Sequence, residues 1–327
     1  MCIRDRFTSG LAIGHRRIIR TNTVGGMLEL SHPDIGSGSR PAIGDTFVVE
    51  SPASIISYTG QVFLGSSHNV GDGNGLVLSQ LRFARGATGT LTISPNSLVY
   101  AETVQVDAGG GSFVLDKNAM FYAGGYDSAA YSNLSDTVGA TNRYGCGLYV
   151  RSTSATGVQV LTNSQLYAIG LVVRGGTGLR FWGPNAYGQL MAADVAGLVE
   201  FASGSVGRII SSFGLPTYIH NSTTNGILID LGAVLEKLGP VMLSNNAANG
   251  VLVQANSTVQ TNGLITGTGN GGAGIEVKET GVVHVTESTN TVTGTGGELK
   301  AGTTTSTWTD VWGGTALSSF PAGVITK

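Results

Sequence analysis

Gly226-Ile-Leu-Ile-Asp230, Gly250-Val-Leu-Val-Gln254 and Gly274-Ile-Glu-Val-Lys278 align without a gap and recur every 24 residues. A fourth segment, Gly297-Glu-Leu-Lys300, follows after 23, with its alternation shifted. Two further strands recur in each period. They are Ser257-Thr-Val-Gln-Thr261 with Gly263-Leu-Ile-Thr266, then Gly281-Val-Val-His-Val-Thr286 with Asn290-Thr-Val-Thr293. The segments alternate at period two, the period of strands and not of helical repeats. Leucine-rich repeats overlap this spacing but need a Leu-x-x-Leu-x-Leu ladder, which is missing. Three short strands in about 24 residues, parted by glycine and asparagine turns, make one rung of a parallel β-helix.

The alternation separates the faces. Ile227/Ile229, Val251/Val253 and Ile275/Val277 are apolar in every coil and point into the core. Leu228/Leu252/Glu276 and Asp230/Gln254/Lys278 vary in chemistry, as an outward face does. Asn246 and Asn270 fall at one coil position, where stacked asparagines hydrogen-bond along the axis.

Upstream the repeat loosens. Gly147-Leu-Tyr-Val-Arg151 and Gly170-Leu-Val-Val-Arg174 lie 23 apart, Gly197-Leu-Val-Glu200 comes 27 later, and Gly226 a further 29. Gly75-Leu-Val-Leu78 and Gly89-Thr-Leu-Thr-Ile93 read as earlier coils. Unequal spacing implies loops projecting from some turns. The expected fold is all-β, a right-handed parallel β-helix solenoid with irregular capping segments at both ends. About ten coils at ~4.8 Å each make a rod of roughly 50 Å. Residues 1–45 read as an N-terminal cap, 46–302 as the β-helix, and 303–327, with Trp308 and Trp312, as a C-terminal cap or the start of a further module. Sheet edges at rod ends need covering, which is why caps are expected there.

Composition agrees. Charged residues are 12% of the chain, against roughly 25% in an average soluble domain. Glycine numbers 51 and the hydrophobic fraction is 41%, so both turns and a core are available. The net charge is −2 with no basic run, which argues against a nucleic-acid partner. Two cysteines, Cys2 and Cys146, do not make a disulfide framework. No apolar run approaches the ~18 residues of a membrane span. Met1-Cys-Ile-Arg-Asp-Arg6 is charged, lacks a signal peptide's apolar stretch and is out of character with the glycine-rich repeats. It reads as non-native, or as the interior of a longer gene, so the missing signal weighs little on location.

Motifs for chemistry are sparse. Gly267-Thr-Gly-Asn-Gly-Gly272 fits G-x-G-x-x-G, but a strand comes next where dinucleotide binding needs a helix. Gly71-Asp-Gly-Asn-Gly75 lacks the repeated aspartates of a calcium array. His15, His32, His68, His220 and His284 are scattered, so no metal site and no cofactor is expected. His284, between Val283 and Val285, is expected to face outward. No Gly-x-Ser-x-Gly elbow occurs.

Carbohydrate-cleaving β-helices place paired carboxylates on an outward face. Asp194, Glu200, Asp230 and Glu276 are the weak catalytic candidates, with Glu236 and Glu279 further carboxylates in the same region. Asp230 and Glu276 sit two coils apart, near ~10 Å, slightly wide for an inverting pair at ~6.5–9.5 Å. Solvated surface charge is the plainer reading.

An aromatic cluster is the better hint. Residues 100–149 hold Tyr100, Tyr122, Tyr126, Tyr131, Tyr144 and Tyr149. Ala123–Arg143 has no coil pattern and reads as one long projecting loop, a common seat of function. Arg151 and Arg174 occupy equivalent outward positions, and Arg180, Trp182 and Tyr187 follow in an irregular turn. Aromatic faces stack on sugar rings and paired arginines hold carboxylates or sulfates. Tyr122, Tyr126, Tyr131, Tyr149, Arg151, Arg174, Arg180, Trp182 and Tyr187 are therefore the candidate glycan-binding residues. Packing of the loop, or a subunit contact, is the alternative.

The coils Gly226–Gly297 resemble the right-handed parallel β-helix superfamily, which includes pectate-lyase-like enzymes and bacteriophage tail spikes. The chain lacks the Asn-Thr-Asp and Gly-His-Gly set of polygalacturonases and the Arg-x-Pro-x-x-Arg segment of pectate lyases. No catalytic residue carries over from either. What remains is most like a tail-spike or tail-fibre rod. That resemblance implies a homo-trimeric virion or extracellular protein that contacts host surface glycans and in some members cleaves them. Two alternatives stay open: a polysaccharide lyase or glycoside hydrolase acting on a glycan, acidic or neutral, and a bacterial surface adhesin. An enzyme is the lesser expectation.

Overall fold

In a computed structural model, residues 3–7, 16–23, 27–31, 47–50, 56–64, 68–70, 75–83, 90–107, 112–123, 148–151, 157–174, 178–212, 216–286, 290–319 and 323–327 are described. The chain winds into an all-β, right-handed parallel β-solenoid with three strand-bearing faces. The first face runs from Thr90–Ile93 through Ser112–Leu115, Val158–Val160, Leu179–Trp182, Val199–Ala202, Ile227–Ile229 and Val251–Val253 to Ile275–Val277 and Leu299–Ala301. The second carries Met120–Ala123, Gln165–Ile169, Tyr187–Met191, Val206–Ile210, Val234–Leu238, Thr258–Thr261 and Gly281–His284. The third carries Leu148–Arg151, Leu171–Arg174, Asp194–Ala196, Thr217–His220, Val241–Ser244 and Ile265–Thr266.

The segments that reveal the period lie in register as expected. Ile227, Val251, Ile275 and Leu299 align on the first face, as do Ile229, Val253, Val277 and Ala301, and all are fully buried. The glycine opening each segment is required by space. A Cβ on Gly226 would lie 2.8 Å from the Gly250 carbonyl oxygen, and one on Gly250 would lie 2.6 Å from that of Gly274. Coils stacked one strand spacing apart leave no room for a side chain pointing along the axis.

Asparagines pair along the same axis. Asn246 Nδ2 donates to Asn270 Oδ1 at 3.0 Å, and Asn270 Nδ2 donates to the carbonyls of Leu243 and Thr293. Asn249 Nδ2 donates to Asn225 Oδ1 at 3.1 Å, while Asn249 Oδ1 accepts from Ala273 N at 2.7 Å. These buried amides satisfy backbone groups that the turns leave without a ladder partner.

The coil count is lower than the sequence suggested. About seven regular turns of roughly 24 residues replace the expected ten. Upstream turns combine a short strand with one long strand that bends across two faces. Leu98–Asp107 pairs with Met120–Ala123 through its first half and with Leu148–Arg151 through its second. The irregular upstream spacing also has a simple origin. Leu148–Arg151 and Leu171–Arg174 lie on the third face, whereas Val199–Ala202 and Ile227–Ile229 lie on the first. The steps of 23, 27 and 29 thus mix two different faces of the rod.

Ring packing fills the interior. Phe181 and Phe201 stack 4.4 Å apart, and Phe113 meets Phe121 edge-on at 5.1 Å. Gly188 and Gly207, in register on the second face, give way to the two stacked rings. A Cβ at either would lie within 2.2 Å of phenylalanine ring carbon.

Parallel pairing gives way to antiparallel pairs in the first and last segments. Ile3–Phe7 pairs antiparallel with both Arg16–Thr23 and Phe47–Glu50. Thr304–Ser306 folds back on Leu299–Ala301, and Leu317–Ser319 on Gly323–Thr326. Between them a short helix, Trp308–Trp312, is capped by the Thr307 hydroxyl, which accepts from Asp310 N. Trp308 is 2% exposed, and its ring N–H donates to the Val292 carbonyl. The tryptophan thus packs into the core of its own chain.

Candidate functional site

Corners between the first and second faces set an extended surface feature. Asn96, Asn118, Asn163 and Asn185 each take up left-handed backbone there, with φ of 58–60°. Asparagine tolerates this conformation because its short side chain bonds locally. Asn118 Nδ2 donates to Asn96 Oδ1 at 3.0 Å, and Asn185 Nδ2 to Asn163 Oδ1 at 3.1 Å. Four residues beyond the first three corners stand Tyr100, Tyr122 and Tyr167, in register on adjacent coils. Phe121, Leu166 and their neighbours alternate inward, so the tyrosines face out.

Tyr122 and Tyr167 stack with ring centroids 4.6 Å apart and planes 6° from parallel. Tyr187, on the parallel outward row, tilts against Tyr167 at 5.4 Å. The hydroxyls are held within their own strands. Tyr167 donates to Gln165 Oε1 at 3.0 Å, and Tyr187 to Gln189 Oε1 at 3.2 Å. Tyr100 is 38% exposed, and Tyr122, Tyr167 and Tyr187 are half-buried. Burial pushes the Tyr167 and Tyr187 phenols above their usual range, with Tyr122 adding to the effect at Tyr167 and Arg208 opposing it at both. Both rings therefore stay neutral donors throughout the physiological range. Gln189 and Arg208 continue the row, and Arg208 Nε bonds Glu236 Oε2 at 2.7 Å.

Of the nine residues the sequence marks for glycan binding, the structure unites only Tyr122 and Tyr187 on this face. Tyr126 and Tyr131 lie outside the described residues, as does most of the expected loop at 123–143. Tyr149 and Arg151 lie on the third face, Arg151 in register with Arg174. Arg180 and Trp182 lie on the first face, with the guanidinium 3.8 Å over the half-exposed indole. Tyr100 and Tyr167 complete the ladder and were not among the nine. A signal for them exists: Asn96-Ser-Leu-Val-Tyr100, Asn118-Ala-Met-Phe-Tyr122 and Asn163-Ser-Gln-Leu-Tyr167 share one Asn-x-x-x-Tyr frame.

The four candidate carboxylates do not converge. Asp194, fully buried on the third face, takes a bidentate Arg174 at 2.9 and 2.6 Å and His220 Nε2 at 2.9 Å. Asn221 Nδ2 lies 2.9 Å from His220 Nδ1, and the Tyr218 ring stacks on the imidazole at 4.2 Å. Glu200, on the first face, pairs with Arg180 at 2.9 Å, and burial pushes its carboxyl up against that pull. Asp230 Oδ1 accepts from Leu231 N in its own turn. Glu276 is 3% exposed. Burial would raise its carboxyl, but bonds from Lys300, Asn249 and Lys278 outweigh that and hold it below the usual range. His284 faces outward and is exposed, as its strand position implied.

Among the described residues no group of three or more His, Cys, Asp or Glu gathers as a metal site would require. None of their helices is long and apolar enough to cross a membrane. Compared with protein-family models, curated proteins and solved structures, the chain gives no match.

Proposed function

We propose that this chain is a structural and receptor-binding rod, of the tail-spike or tail-fibre kind, that contacts host surface glycan through the tyrosine ladder of its second face. The observation that carries this reading is the outward column Tyr100–Tyr122–Tyr167, with Tyr187 leaning against it. Ordered rings on a rigid scaffold offer their exposed edges and uncovered faces to sugars at little ordering cost. Successive coils repeat at ~4.8 Å, close to the length of one pyranose, so an extended chain can lie along the rod axis.

Arg174, Arg180 and Arg208 are each bonded to a carboxylate of this chain, while the exposed Lys237 lies in register with Arg208 on the second face. Breaking those pairs to bind an acidic glycan would strand Asp194 or Glu200. The proposed partner is a surface polysaccharide, and the proposed setting is a virion or the extracellular space, in a homo-trimer.

The test is a glycan array followed by titration of the best ligand against Tyr100→Ala, Tyr122→Ala and Tyr167→Ala. Each ring should contribute ~0.5–1.5 kcal/mol, a loss of roughly two- to tenfold per variant. Binding unchanged in all three would overturn the proposal. Light scattering after size exclusion tests the trimer separately.

A further inference from the structure

Asn-Gly links are the most labile peptide positions for succinimide formation, because glycine leaves the following backbone nitrogen unhindered. The chain has five, at Asn74, Asn225, Asn249, Asn262 and Asn270. Asn74 lies outside the described residues. The fold treats the other four very differently.

Three are locked within the axial ladders. The nucleophile in each would be the glycine N–H, and each is already donating: Gly226 N to Asn249 O, Gly250 N to Ala273 O, and Gly271 N to Asn246 O, at 2.9–3.0 Å. Their side chains are committed as well. Asn225 Oδ1 accepts twice from Asn249, Asn249 Oδ1 accepts from Ala273 N, and Asn270 uses both amide ends.

Asn262 differs on both counts. It is exposed at the corner between the second and third faces, and its side chain has no hydrogen-bond partner among the described residues. The Gly263 N–H likewise finds no acceptor among them. Glycine is nevertheless obligatory there. Its φ is +119°, and a Cβ would lie 2.9 Å from Pro240 Cδ and 3.0 Å from Gly239 C, one coil below. The stacking of Gly263 on Gly239 thus imposes an Asn-Gly link at a site where the Asn262 N–H is held by the Leu238 carbonyl but neither the Asn262 side chain nor the Gly263 N–H has a partner among the described residues.

We infer that Asn262 is a deamidation site of the folded protein, set apart from the protected Asn225, Asn249 and Asn270 by its exposed side chain and by a Gly263 N–H with no acceptor among the described residues. The deprotonated Gly263 nitrogen attacks Asn262 Cγ, and the side-chain nitrogen leaves as ammonia, closing a succinimide. Water then adds across either imide C–N bond, giving aspartate or isoaspartate at 262. Both products carry one more negative charge, and the isoaspartate adds a backbone methylene beneath the Gly239–Gly263 contact.

The intact protein would be aged in mildly alkaline buffer at physiological temperature, and isoaspartate and aspartate located by peptide mass spectrometry. Conversion at 262 should run at least about tenfold faster than at 225, 249 or 270, whose reaction needs local opening first. In urea the gap should close, and Asn262→Gln should abolish the fast phase in the folded state. Equal rates at the four sites in the folded protein, or no conversion at 262, would overturn the inference.

Discussion

The rings of Tyr122 and Tyr167 lie 4.6 Å apart and 6° from parallel, one on each of two adjacent coils. No strand order or loop is needed to hold them, because parallel register places the two residues directly above one another. The contact therefore stabilises the stack of coils as well as forming the proposed binding face. A double-mutant cycle with Tyr122→Ala and Tyr167→Ala, read by denaturant unfolding, should give a coupling of ~0.5–1.5 kcal/mol. Coupling near zero would mean the rings are merely adjacent.

Asp194 ties two third-face side chains, Arg174 and His220, together without exposing any of its own surface. Asp194→Ala leaves the Arg174 guanidinium unpaired and should cost roughly 3–5 kcal/mol in urea unfolding. Replacing both partners with apolar residues, Arg174→Met with Asp194→Leu, should cost far less than the single change. A single variant no worse than the double would refute a buried ion pair at this place.

Gly207→Ala should destabilise by ~1–3 kcal/mol, because the new methyl falls within 2.1 Å of the Phe201 ring. Phe201→Leu in the same chain should recover part of that loss by making room. Thermal unfolding of the single and double variants checks both statements.

Acid should act through Glu276. Its folded carboxyl titrates below the ordinary glutamate range, so the unfolded chain takes up this proton first as pH falls. The stabilisation is complete above the unfolded pKa of about 4.3 and is lost as pH falls through the lower folded value. Glu276→Gln should flatten that part of the stability–pH curve, measured by unfolding at a series of acidic pH values. A curve that falls as steeply as the parent's would place the acid sensitivity elsewhere.

Much of the rod was legible in the sequence. From Gly226 to Val277 each period presents the same face in the same phase, so equal spacing marks equal position. Upstream, that logic failed for a physical reason. Strands on the first and third faces both follow glycine and both read as short apolar runs, so Gly147 and Gly170 looked like partners of Gly226. The asparagine corners were the truer markers. Asn96 to Asn118 and Asn163 to Asn185 are both steps of 22, while Asn118 to Asn163 spans the long insertion between two faces.

Sequence by itself determined the solenoid, because a period-two apolar alternation repeated every 24 residues can bury its inward row only by stacking parallel coils. It also determined the axial asparagine pair Asn246–Asn270 and the outward setting of His284. Only the tertiary structure decided which outward residues share a face. Tyr100, Tyr122 and Tyr167 are remote along the chain yet consecutive along the rod. Arg174, Arg180 and Arg208 look like free cations in the sequence and become neutralised pairs once neighbouring coils supply their carboxylates. Those contacts depend on register between coils, and where the insertions fall sets that register.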